Sequence, residues 1–105
     1  MPAAYFAVYA LDKPGRLAAR EAARERHRAY LRAPNAHRVE AVLGGPLCDE
    51  DGRMNGTLLV LRAPARADVE RFMAADPYSA ADVFERVEIR AWRWGLGAPV
   101  DASAG

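Results

Sequence analysis

Two segments of this chain, Tyr5–Leu11 (YFAVYAL) and Thr57–Leu61 (TLLVL), are apolar on both of the faces that alternate along a β-strand. Strands of that kind sit inside a sheet and need cover on both sides. The chain has 105 residues, enough for one core and one domain. A domain of this size buries roughly 60 to 70% of the surface its unfolded chain exposes. It can fold alone, though with modest reserve, and oligomerisation would help it.

The remaining segments fix the order of elements. Tyr5–Leu11 ends at Asp12-Lys13-Pro14-Gly15, a turn cluster. From Arg16 to Ala33 the run RLAAREAARERHRAYLRA holds strong helix formers with no internal Gly or Pro, and Pro34-Asn35 stops it. His37–Leu43 alternates, with Val39, Ala41 and Leu43 on one face, and Gly44-Gly45-Pro46 is expected to break or bulge that strand. CDEDGRMNG, residues 48–56, reads as a polar turn leading into Thr57–Leu61. Ala65–Ala75 reads as a helix with Val69, Phe72 and Met73 as its apolar stripe, followed by a short helix over Tyr78–Phe84. Arg86–Trp94 is a last alternating strand, and residues 96–105 read as a flexible tail behind a domain of residues 1–95. The order β-α-β-β-α-β, with one small extra helix, is the ferredoxin-like α+β plan. Its helices cover one face of an antiparallel sheet, so the second apolar face points to a second copy of the chain and a homodimer.

Composition removes several function classes. Fifteen Lys+Arg against 14 Asp+Glu leave a formal charge of +1, not the basic field that neutralises phosphates, so no nucleic-acid partner is expected. The single cysteine, Cys48, cannot form an internal disulfide, and a reducing cytoplasm is the simplest compartment. Its neighbours Asp49 and Glu50 are unfavourable to a thiolate. The apolar run at the start stops at Asp12, far short of a membrane span. Two separated histidines and no His-x-x-x-His or Glu-x-x-His spacing give no expectation of a metal, and no other cofactor is expected.

Two residues stand out by position. At about 100° per residue, His27 falls on the inward side of the first helix with Ala23, Tyr30 and Leu31, opposite Glu21, Glu25, Arg28 and Arg32. Arg24 and Arg20 lie near the His27 side, about one and two turns earlier. Guanidiniums disfavour the imidazolium and a nearby carboxylate favours it, so a balance near neutrality suits a general acid or base. A structural histidine at the helix–sheet boundary is the other reading. Asp76 continues the Val69, Phe72, Met73 stripe onto a helix C-terminus, where the dipole disfavours a carboxylate. Followed by Pro77 it is also a good N-cap for the next helix, and one carboxylate can do both. His37 is taken as exposed, and Trp92 and Trp94 as packing residues.

Arg24-x-x-His27, Gly44-Gly45-Pro46 and the run AADPYSAADVFERVEIRAW from Ala74 to Trp92, in this order and spacing, resemble the YciI-like family, the YCII-related domain. The resemblance covers nearly all of the chain to Trp94, and Ala75-Asp76-Pro77-Tyr78 with Phe84-Glu85-Arg86-Val87-Glu88-Ile89 is its most specific part. It implies a ferredoxin-like subunit of a dimeric α+β barrel, with a His-Asp pair in a cleft at the positions of His27 and Asp76. Muconolactone isomerases and small monooxygenases share that architecture, and most family members have no known substrate. Two positions depart from the pattern: Asp82 stands for a usual glycine and Ala91 for a usual proline. Asp82 is therefore expected to narrow the cleft or add a second carboxylate to it.

The expectation that follows is a small enzyme doing acid/base chemistry, an isomerisation or elimination, on a small anionic or phenolic ring compound. His27 and Asp76 would be catalytic, and Arg24, Arg20, Tyr78 and Asp82 would contact substrate. A non-catalytic ligand-binding or accessory subunit, with a structural His-Asp pair, is the alternative.

Overall fold

The computed structural model describes residues 4–97. Four strands form one antiparallel sheet in the order β2-β3-β1-β4. They are β1 (Ala4–Asp12), β2 (Glu40–Cys48), β3 (Met54–Ala63) and β4 (Phe84–Trp92); α1 (Leu17–Arg32), α2 (Arg66–Ala74) and α3 (Pro77–Ala80) complete the chain in the order β1-α1-β2-β3-α2-α3-β4. This is the α+β, βαββαβ arrangement expected of the sequence. The two strands that read as apolar on both faces, β1 and β3, are the central pair, with Phe6 opposite Leu61 and Val8 opposite Leu59.

The core lies between the sheet and the helices. Phe6, Val8, Leu59 and Leu61 point toward Val69 and Phe72 of α2, all within one buried cluster. Tyr30 of α1 stacks on Phe72 at 4.7 Å and donates its hydroxyl hydrogen to the Phe72 carbonyl at 2.8 Å, which ties α1 to α2. On the opposite sheet face Tyr9, Leu43 and Leu58 remain 40 to 48% exposed. Tyr5, Trp92 and Trp94 cluster at one edge of the sheet, and the indole Nε1 of Trp94 is buried without a partner among the described residues.

Several boundaries differ from expectation, each for a local reason. β2 does not break at Gly44-Gly45-Pro46; it runs through them and shifts register earlier, between Ala41 and Leu43, and again near Cys48. Gly44 lies where a Cβ would run into the Leu59 side chain, so its role is close strand approach. Pro46 is tolerated because β2 is an edge strand. Residues 37–39, read as strand, belong instead to a loop that Asn35 organises by bonding the Val39 carbonyl and the His37 and Val39 amides. His37 is half-buried there rather than exposed. β3 begins at Met54, three residues before its apolar run, inside the segment read as a turn.

α3 ends at Ala80 instead of reaching Phe84, which opens β4. The stop is at Asp82, whose φ of 57° lies in the left-handed region. Arg16 closes that turn by donating to the Ala81 and Asp82 carbonyls at 2.6 and 3.1 Å. Of the residues read as a tail, 98–105 lie outside the described residues. No helix among the described residues is long and apolar enough to cross a membrane.

Candidate functional site

His27 and Asp76 are 49 residues apart in sequence and in contact in space: the imidazole Nδ1 lies 2.9 and 3.0 Å from the two carboxylate oxygens. Asp76 is fully buried and His27 is 6% exposed. The carboxylate is held from two sides. Its Oδ1 also accepts the Tyr78 amide hydrogen at 2.8 Å, which makes Asp76 the N-cap of α3, with Pro77 at the first helical position. The α3 cap and the imidazole together answer the poor placement of a carboxylate just beyond the C-terminus of α2.

A carboxylate only accepts hydrogen bonds, so Nδ1 carries the hydrogen, and a neutral ring then presents its lone pair at Nε2. Nε2 has no hydrogen bond to a described residue, and His27 forms part of the wall of a cleft of about 710 Å³ between α1 and the β2–β3 side of the sheet.

Tyr78 backs the imidazole. Its ring stacks on His27 at 3.9 Å and 17°, while Phe84 meets it edge-on at 5.8 Å. The Arg20 guanidinium covers the tyrosine, with Cζ 4.4 Å from the ring centroid. Burial pushes the Tyr78 phenol above the ordinary tyrosine range, and the Arg20 charge only partly offsets this, so the hydroxyl remains a hydrogen-bond donor through neutral pH.

Arg20 lines the cleft, but its guanidinium is already engaged by protein groups. It is 2% exposed and grips Asp12 with two bonds, at 2.6 and 2.7 Å, and the Thr57 hydroxyl with a third at 2.8 Å. Burial works against the cation, but the Asp12 carboxylate outweighs it, so Arg20 holds its proton more firmly than a free arginine. Neither Asp12 nor Thr57 was singled out in the sequence. The signal was available: β1 ends in an aspartate, and eight residues later an inward-facing arginine stands in the first turn of α1.

Asp82 is misplaced by the sequence reading. Its side chain is 71% exposed and accepts from Lys13 at 2.6 Å, outside the cleft. That ammonium group holds the Asp82 carboxyl below its usual value. The glycine usual at this position suits the positive φ, not room for a ligand.

Arg24 lines the cleft, and so do Arg28 and Arg32, which the helical projection put on the far side. They lie beside the His27 stripe, and their long stems reach back over the cleft, which opens on the flank of α1 facing β2. Among the described residues no group of three His, Cys, Asp or Glu side chains is placed to hold a metal.

The profile of the YCII-related domain matches residues 4–93. The chain belongs to this family. Among solved structures it is similar to the 5-chloro-2-hydroxyhydroquinone dehydrochlorinase of Burkholderia phenoliruptrix, in complex with 2,5-dihydroxybenzoquinone, at 29% identity and a TM-score of 0.75. That match covers 87% of this chain and 95% of the dehydrochlorinase. A protein of Pseudomonas aeruginosa shares the fold at 13% identity and a TM-score of 0.52, covering 88% of this chain and 93% of its own. No curated protein sequence matches the chain significantly.

Proposed function

We propose that this member of the YCII-related family is an acid/base enzyme acting on a small anionic or phenolic ring compound, with Nε2 of His27 as the group that moves the proton. The observation that carries the reading is the division of labour on one imidazole: Nδ1 is bound by a buried carboxylate, and Nε2 has no such bond on a ring that walls a cleft. In an elimination, Nε2 accepts the proton the ring compound loses as the leaving anion departs. In an isomerisation it returns that proton at a second ring atom. Asp76 fixes the tautomer and stabilises the imidazolium formed on the way. Arg24 attracts the substrate's negative charge, and the Tyr78 hydroxyl can donate a hydrogen bond. The likeness to a dehydrochlorinase with a dihydroxybenzoquinone bound supports a ring compound as substrate and elimination as the first reaction to assay.

The working unit in this proposal is a homodimer formed through the open sheet face, where Tyr9, Leu43 and Leu58 are exposed.

One specific observation favours a second reading. Asp76 joins α1 to the α2–α3 turn, and such a pair can serve the fold of an accessory or ligand-binding subunit alone. Assaying halogenated hydroxybenzenes for halide release and absorbance change, with wild type and His27→Asn, separates the two. The catalytic reading expects a loss of about 10²- to 10⁴-fold in turnover with the fold retained. Unchanged turnover with a lowered melting temperature would establish the structural role instead.

A further inference from the structure

The cleft is much larger than one ring. An apolar cavity of about 150 Å³ already accepts benzene, whereas this cleft measures about 710 Å³. It extends from His27 and Tyr78 along α1, where Leu31 and, across from it, Val39 and Ala41 form an apolar stretch. Arg28 and Arg32 line that outer part. Arg32 has no carboxylate partner among the described residues, and Arg28 has only a distant one, Glu25 at 3.6 Å. Glu40, the acidic residue of this cleft wall, is itself paired with Arg62. The outer end is therefore apolar along its floor and cationic at its rim.

Resting on the reading of His27 as the reacting end, we infer that the substrate is a ring compound carrying an apolar arm that ends in a carboxylate or a comparable anion. The ring lies at His27, the arm runs over Leu31, and Arg32 with Arg28 receives the anion. Five residues of helix separate His27 from Arg32, about 7 to 8 Å along the axis, roughly the distance from the centre of a six-membered ring to the carboxylate oxygens at the end of a four-carbon acid arm. The arginines offer forked donors suited to a planar carboxylate. Arg24, near the imidazole, remains for a phenolate on the ring itself.

Calorimetric titration of the intact chain with para-hydroxyphenylbutyrate, its neutral amide and phenol tests this. The acid is expected to bind about tenfold more tightly than the amide, the gain from a hydrogen bond to a charged group. Both are expected to bind more tightly than phenol. Arg28→Gln/Arg32→Gln should bring acid and amide to within about threefold, with circular dichroism unchanged, and Arg32→Gln alone should fall between. Equal affinity for acid and amide in the wild type would overturn the inference. So would a double variant that still prefers the acid. Loss of the preference in His27→Asn as well would put the anion at the imidazole and overturn it too. If His27→Asn instead kept full turnover, the catalytic reading would fail while this binding result stood.

Discussion

Arg20 and Arg32 are the same side chain three turns apart on α1, and they have opposite fates. Arg20 is 2% exposed, with its donors spent on Asp12 and Thr57; Arg32 is exposed at the rim of the cleft. Helix position alone does not explain the difference. The end of β1 supplies a carboxylate and β3 a hydroxyl within reach of the first arginine, so its charge becomes part of the fold. The second faces a wall whose carboxylate is already engaged with Arg62. A guanidinium is structural where the sheet completes its hydrogen bonds, and available to a ligand where the sheet does not.

Breaking the closed end should have the larger effect. Asp12→Asn leaves the Arg20 cation buried without its partner, a loss of about 3 to 5 kcal/mol, to be read from urea unfolding. Replacing both, as Asp12→Asn/Arg20→Met, should recover part of that loss, because no unpaired charge remains. If Asp12→Asn unfolds like the wild type, the contrast between the two arginines disappears.

A second test uses pH. Tyr78 is raised by burial, and Tyr30 is raised by burial and by the Asp76 charge. A raised acid stabilises the folded state below the unfolded tyrosine value near 10, and that stability is lost as pH rises through the folded values. Unfolding followed from pH 8 upward should show a decline beginning near 10, and Tyr78→Phe should make it shallower. A decline of unchanged slope would place Tyr78 in a looser, wetter setting than the column of Arg20, Tyr78 and His27 requires.

The smallest effect belongs to Asp82. Asp82→Gly loses an exposed pair with Lys13 but relieves a residue at φ 57°, so the melting temperature should stay close to that of the wild type, and ligand binding should not change. A clear gain or loss of binding would return Asp82 to the cleft.

The inward positions of His27 and Asp76 were legible because both lie on apolar stripes where a polar residue has no business unless it is satisfied; that the two form a pair was implied by the resemblance to the YCII-related domain. Helical phase exposes such residues without any knowledge of what faces them. Arg28 and Arg32 were illegible for the converse reason: a projection locates Cα positions, whereas an arginine stem spans enough distance to work around the side of a helix. The Gly44-Gly45-Pro46 error has a similar origin. Glycine and proline mark a break only if no neighbouring strand demands close approach or tolerates a missing donor, and β3 does the first while the edge position allows the second.

The sequence by itself determined the order of elements, the central place of β1 and β3 and the inward direction of His27, because periodicity records which side of each element is apolar. Only the tertiary structure decided which arginine is spent and which is available, since that depends on what the neighbouring strands present across the gap. Asp82 shows the same limit from the other side. Its left-handed backbone and its Lys13 partner come from the way β4 meets the β1–α1 turn, a meeting of segments almost seventy residues apart.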